Sequence, residues 1–249
     1  MTITSPHNEK LKEIRKLAAP RRARSVSGRF VAEGEDLLAA ADAAGWPALE
    51  RYCAAGSGLP GVEVDADVLA RASGLGSGTR TLAVYEERWA PAPLGPLCVY
   101  LHGVHDPGNV GAVLRSAQAF GASCVTLGPG TADPYSPKAV RASMGAVFSV
   151  PLVREAVDFD ALPGAKIALV PGEGVPLHEV WRSAPAERNK SATLPELTLL
   201  VGAEREGLPR ELIDAADQVA HIPIGTDSLN AAMAATVALY ELRIRMAGG

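Results

Sequence analysis

Residues 97–121, LCVYLHGVHDPGNVGAVLRSAQAFG, decide the fold of this chain. They open with a nearly continuous apolar run, the pattern of a strand buried on both faces of a parallel sheet. A loop of glycine and proline follows, and then a helix. Asn109 reads as the N-cap ahead of Val110, and Gly121 as the helix end. At about 100° per residue, Val110, Val113, Leu114, Ala117 and Phe120 fall on one stripe that must lie on the sheet. Arg115 falls nearly opposite, among Gly111, Ala112, Gln118 and Ala119. A solvated helix face is studded with Lys and Glu. This one is smooth, so a substrate, a second subunit or both pack against it.

The same rhythm of strand, loop and helix continues to the C-terminus. SCVTLG (123–128), FSVPLV (148–153), AKIALVPG (165–172), LTLLVGAE (197–204) and QVAHIPI (218–224) all read as strands, with helices between several of them. This predicts an α/β domain over 97–249, doubly wound on a parallel sheet. Residues 172–196 are long, polar and marked by proline, a functional loop or an insertion. The last helix, over 228–246, is apolar nearly all round until Glu241 and is expected to be enclosed on all sides.

Upstream, the proline-rich stretch ending at 96 reads as a linker over 89–96. Residues 1–88 form a second, smaller α/β unit in this reading. Leu11, Ile14 and Leu17 make a helical stripe, GRFVAEGEDLL (28–38) reads as a strand entering a helix, and short apolar runs follow at 49–54, 62–64 and 82–85.

The net charge of −4 hides an asymmetry. Residues 1–30 hold eight basic side chains against Glu9 and Glu13, a balance of +6, which leaves −10 on the remainder. A basic arm on an acidic body fits a polyanionic partner, and Arg21, Arg22 and Arg24 are its candidate phosphate contacts. A solvated amphipathic helix explains the charges equally well. Lys138 and Arg141, in SPKAVRASMGAVF (136–148), are further candidates for RNA phosphate or for plain solvation. Cys53, Cys98 and Cys124 show no CxxC spacing, which argues against a disulfide framework or zinc site and fits a reducing cytoplasm. His102 and His105 lie on a strand and its loop with no cysteine near in sequence, and no metal site is expected. No apolar run of about 18 residues exists to span a membrane. The N-terminus lacks the apolar stretch of a secretory signal.

Three strand ends carry polar, glycine-containing loops, at 105–109, 202–209 and 223–230, where ligands of open α/β sheets bind. The three surrounding segments, DPGNVGAVLRSAQAFGA (106–122), LLVGAEREGLP (199–209) and IPIGTDSLNAAMAATVALYE (222–241), resemble in order the motifs of the SpoU (TrmH) family of RNA ribose 2′-O-methyltransferases. Residues 1–88 are similar to the ribosomal-protein-like substrate-binding domain that many members carry. The resemblance implies a SPOUT fold with a C-terminal trefoil knot, S-adenosylmethionine as cofactor, a homodimer, and structured RNA as substrate, ribosomal RNA ahead of transfer RNA. It implies that Gly202, Ile222 and Leu229 surround the adenosyl group. It puts Arg115, Asn109, Glu204, Ser228 and Asn230 in the catalytic centre. Family assignments make the motif arginine a base. A guanidinium with a pKa above about 12 suits Arg115 better as a phosphate clamp and alkoxide stabiliser, with Glu204 free to accept a proton or to hold Arg115. The alternative is a non-catalytic RNA-binding protein that keeps the fold, favoured only by the short stretch between IPI and SLN.

Overall fold

The computed structural model describes residues 2–19, 22–73, 78–154, 159–180 and 196–247. Its helices are α1 (Glu9–Ala18), α2 (Arg22–Ser27), α3 (Glu35–Ala43), α4 (Ala66–Ala72), α5 (Pro107–Phe120), α6 (Pro137–Ala142), α7 (Arg210–Ala215) and α8 (Ala231–Ala247). Its strands are β1 (Arg29–Glu33), β2 (Glu50–Ala54), β3 (Val62–Val64), β4 (Thr81–Glu86), β5 (Leu97–Leu101), β6 (Cys124–Leu127), β7 (Leu152–Val153), β8 (Ala165–Leu169), β9 (Val175–Pro176), β10 (Leu197–Val201) and β11 (Gln218–His221). They form two compact units. One comprises Met1–Arg88 with Asp133–Ser149, the other Trp89–Ala132 with Val150–Gly249.

The first unit is a four-stranded sheet in the order β1-β4-β2-β3. Alternation along its strands gives it two apolar faces. Val31, Tyr52, Leu82 and Val84 pack with Leu11, Ile14 and Leu17 of α1 and Val68 and Leu69 of α4. On the other face Phe30 and Tyr85 meet Trp46, Tyr135 and Phe148, with Phe30 and Tyr135 ring centres 4.6 Å apart. Tyr135 and Phe148 belong to Asp133–Ser149, which the sequence reading left inside the second domain. The segment joins the first unit because it supplies the aromatic cover for that face. The same packing makes Phe148 part of a 3₁₀ turn (Ala146–Phe148) rather than of a strand, and a Cβ on Gly145 would stand 2.5 Å from Ala40 Cβ.

Burial also corrects the basic arm. Arg24 is 3% exposed; it pairs with Asp133 at 2.8 Å and donates to the Leu17 carbonyl at 2.6 Å. A side chain so enclosed has no surface to offer a phosphate, so Arg24 is an internal cation and not an RNA contact. Lys10 pairs with Glu50, Lys12 with Glu9, and Arg29 with Glu13, while Arg15 donates to the Pro6 carbonyl. Most of the arm's charge is thus spent within its own unit. Arg22, Lys138 and Arg141 are exposed, and Arg21 lies outside the described residues.

The second unit is a seven-stranded sheet in the order β7-β6-β5-β10-β8-β11-β9, every adjacent pair parallel. From β5 the chain runs outward through β6 to β7. It then crosses to the other side for β8 and β9, and β10 returns to fill the place between β5 and β8. The strand order therefore reverses at the β5–β10 pair, and the crevice beyond the carboxyl ends of these two strands is the ligand position of an open α/β sheet. Residues 89–96 are no free linker. Ala90 N–H donates to the Leu152 carbonyl, Arg154 stacks on Trp89, and Leu94 N–H reaches Cys124. The polar segment 172–196 contributes the edge strand β9, where Pro176 is tolerated because edge strands need fewer donors. Its residues 181–195 lie outside the described residues. Among the described residues no helix is long and apolar enough to cross a membrane, and no group of three His, Cys, Asp or Glu is arranged to hold a metal ion.

Candidate active site

Helix α5 begins at Pro107, three residues earlier than its valine stripe indicates. Asp106 is the cap, its carboxylate accepting the Gly108 N–H at 2.5 Å, and Pro107 takes the first helical position, where a missing N–H costs nothing. The correction matters for Asn109. No longer the cap, it stands in the first turn with its side chain available for other work. Its Nδ2 donates to Glu204 of the loop after β10. Its Oδ1 accepts from Asn230 Nδ2 at 3.1 Å. Asn230 in turn caps α8, its Oδ1 accepting from Ala232 N at 3.0 Å and Met233 N at 3.3 Å. One relay, Glu204–Asn109–Asn230, therefore joins all three motif segments at the strand reversal.

Two helices point into this relay. Asn109 meets Asn230, Ser116 Oγ lies 2.6 Å from Thr236 Oγ1, and Phe120 packs edge-on against Tyr240 at 5.9 Å. These pairs advance in step, so α5 and α8 run side by side in the same direction with both N-termini at the relay. Their aligned peptide dipoles favour an anionic group there, whether the Glu204 carboxylate or a ligand phosphate. The Ser116–Thr236 pair was not foreseen. Its signal in the sequence is two hydroxyl residues on otherwise alanine-rich helices.

The stripe Val110, Val113, Leu114 and Ala117 is fully buried, as its spacing requires, and Arg115 is exposed on the far side. Among the described residues none accepts a hydrogen bond from its guanidinium or pairs with it. Of the two roles open to Glu204, holding Arg115 is not the one seen, because Glu204 is engaged by Asn109. Gly202 owes its identity to its own loop: a Cβ would lie 2.4 Å from Leu208 N, and Ala203 and Gly207 bond each other across the turn. This explains the glycine without a ligand, and it fixes the loop that carries Glu204. Ile222 and Leu229 are half-buried at the two ends of an exposed loop, 223–228, which includes Ser228. The loop after β8 opens the polar segment 172–196, which the sequence marks as a functional loop or an insertion. It lies between those of β10 and β11, with Gly174 against the Val219 carbonyl and the Glu173 carbonyl 3.1 Å from His221 Nδ1.

The expectation for α8 fails in one respect. Met233 (63% exposed), Val237 (42%), Tyr240 (53%) and Ile244 (49%) form an apolar stripe open to solvent rather than enclosed by the chain. The other faces of the helix do find partners, since Ala235, Ala238, Leu239 and Leu242 are fully buried.

The family model described as the SpoU rRNA Methylase family matches residues 96–240, which include the whole relay. The chain belongs to the SpoU family. A tRNA/rRNA methyltransferase of Mycobacterium tuberculosis, itself uncharacterized, is 36% identical over 201 residues, covering 75% of this chain and 67% of the relative. The 23S rRNA (guanosine(2553)-2′-O)-methyltransferase RlmP of Bacillus subtilis is 32% identical, covering 57% of this chain and 56% of its own. Among solved structures, the AdoMet-bound rRNA methyltransferase of Sinorhizobium meliloti aligns with a TM-score of 0.84 at 30% identity, covering 98% of both chains. The seven-stranded parallel sheet described above is thus the SpoU fold of such structures.

Proposed function

We propose that this SpoU protein is an S-adenosylmethionine-dependent RNA ribose 2′-O-methyltransferase acting on ribosomal RNA, with transfer RNA as the second candidate, in the cytoplasm. The observation that carries the reading is the Glu204–Asn109–Asn230 relay at the strand reversal, with Arg115 uncommitted on the same helix as Asn109. Relatives named as 23S rRNA 2′-O-methyltransferases and a neighbour solved with AdoMet support it. A non-catalytic RNA-binding role gains nothing from such a relay, which binding alone does not need.

The cofactor fits the strand-end loops. Ile222 and Leu229 offer apolar surface for the adenine, and the intervening loop 223–228 is exposed, with its backbone N–H groups turned to no partner within the described residues. Gly202 keeps the neighbouring loop tight against Gly207 and Leu208. S-adenosylmethionine, when bound, supplies a methyl group made electrophilic by its sulfonium. The remaining tasks fall to this chain's residues. A ribose 2′-hydroxyl is a poor nucleophile and must be positioned and relieved of its proton. Arg115 clamps the adjoining phosphate and stabilises the developing alkoxide. Glu204 is the proton acceptor, oriented by Asn109, which Asn230 holds by its other amide atom. Ser228 hydrogen-bonds substrate or cofactor from its loop. The trefoil knot belongs to the same reading, supported by the return of the chain from β11, three strands away, to α5 beside β5.

A homodimer is part of the proposal. Four large apolar side chains in line on α8 are costly to leave in water, and Tyr240 continues the stripe onto Phe120 of α5, the helix of Arg115. Exchanging Val237 and Ile244 together for Glu is expected to weaken self-association by at least about 100-fold, since charges would be buried at an apolar contact. Sedimentation velocity reads this directly; an unchanged dimer removes α8 from the interface. Arg22, Lys138 and Arg141 are exposed cations of the first unit that we assign to RNA phosphate, with Arg21 next to Arg22 in sequence.

The test of the function is transfer of labelled methyl from S-adenosylmethionine to ribosomal RNA lacking the modification, followed by nucleoside analysis. A labelled 2′-O-methylnucleoside is expected. Cofactor binding without transfer to ribosomal RNA, but with transfer to transfer RNA, moves the substrate to the second candidate. Absence of both cofactor binding and methyl transfer rejects the enzyme.

A further inference from the structure

Cys98 and Cys124 are directly paired in register across β5 and β6, and their sulfurs lie 3.1 Å apart. Both are fully buried, so the contact is fixed by packing and not by a chance surface encounter. Adjacent strands are about 4.8 Å apart, inside the range of about 4.4–6.8 Å between α-carbons that a disulfide spans. We propose that this pair is an oxidation site, a dithiol that a small peroxide converts to a disulfide joining β5 to β6.

The surroundings favour a defined order of events. Leu94 brackets Cys124, its N–H 3.2 Å from the sulfur and its carbonyl 3.3 Å away. A Cys124 thiolate accepts from the Cys98 S–H and from Leu94 N–H, and these bonds hold its pKa below the ordinary thiol value against the opposing effect of burial. Cys98 is pushed the other way by the same hydrogen bond and by burial. Cys124, the sulfur that the Leu94 N–H reaches and can hold as a thiolate, is the nucleophile. Its thiolate attacks one peroxide oxygen, the O–O bond breaks, and Cys124 sulfenic acid and hydroxide form. Cys98 sulfur then attacks the sulfenyl sulfur. The S–S bond forms, the S–O bond breaks, and the departing hydroxide takes the Cys98 proton as water. Two thiols lose two electrons, and one peroxide becomes two waters. The backbone of Leu94, in the 89–96 segment, is what lies against Cys124, so a small oxidant such as hydrogen peroxide is the one to test.

The ring so closed runs from residue 98 to residue 124 and contains the whole of α5, with Asn109 and Arg115. Cross-linking it removes freedom from the unfolded chain, so the oxidised protein should be the more heat-resistant form. Cys53, on β2 of the first unit, has no such partner among the described residues and serves as an internal control.

The full-length protein is treated with hydrogen peroxide, unfolded, alkylated and digested. The expected products are a cross-linked peptide pair containing Cys98 and Cys124, an alkylated Cys53, and a melting temperature several degrees higher that dithiothreitol restores. Cys98→Ala should lose the cross-link and leave a sulfenic acid on Cys124 that dimedone traps. Cys124→Ala should lose both the cross-link and the dimedone adduct. The proposal is overturned if Cys98 and Cys124 alkylate separately after peroxide, or if they reach sulfinic acids without ever cross-linking.

Discussion

Replacing Arg115 with Ala is expected to lower methyl transfer about 1,000-fold while S-adenosylmethionine affinity stays within a few-fold. The size follows from removing one preorganised charge aimed at a developing anion, a loss of roughly 10²–10³ in rate. The separation of rate from cofactor affinity follows from position. Arg115 projects from the outer face of α5, whereas the loops proposed for the cofactor end β10 and β11. Nothing among the described residues competes for its guanidinium, so its charge is available to an incoming phosphate and ribose. Lys at this position should recover only part of the rate, because an ammonium is a point charge without the planar fork that grips a phosphate. Single-turnover transfer with saturating cofactor, alongside a cofactor titration by calorimetry, separates the two quantities. A wild-type rate in the Ala variant would return the charge to an ordinary exposed side chain. A matched loss of cofactor affinity would move Arg115 into the cofactor site.

The second unit was legible in the sequence because its strands are buried on both faces. Runs such as LCVYL and LTLLV name themselves, and the smooth face of α5 announces that something packs on it. What escaped is set by contacts between distant residues. The start of α5 turns on Asp106 and Pro107, a cap and first-turn pair that was readable but was outweighed by the first valine. That Asn109 bonds Glu204 and Asn230, and not Arg115, depends on β10 lying beside β5, which no local pattern encodes. The open stripe of α8 looked buried because hydrophobicity alone does not distinguish a core from a surface awaiting a partner. The placement of Asp133–Ser149 was hidden for a related reason. Its Tyr135 and Phe148 are unremarkable in a strand-and-helix rhythm, and only the aromatic second face of the first sheet calls for them.

Arg24 shows the same lesson at its largest energetic scale, and its replacement by Ala is expected to destabilise the first unit by about 3–5 kcal/mol. The guanidinium bonds Asp133 and the carbonyls of Leu17 and Ala19, at 3% exposure for Arg24 and 9% for the Asp133 side chain. Removing it strands a buried carboxylate that still accepts from the Tyr135 N–H at 2.9 Å, and it unpairs two carbonyls at the end of α1. The pair also ties the incoming segment at residue 133 to α2 and to the end of α1, so the aromatic face should loosen with it. An Arg24→Met, Asp133→Leu double variant should recover a substantial part of the loss. A well-packed apolar pair avoids the desolvation that a buried ion pair must overcome. Urea unfolding followed by near-ultraviolet circular dichroism, which reads the Phe30, Tyr85 and Tyr135 cluster, measures all three proteins. If Arg24→Ala unfolds at the wild-type urea concentration, the pair is energetically idle. Arg24 would remain an internal cation, since at 3% exposure it still offers a phosphate no surface, but one the first unit does not need for stability.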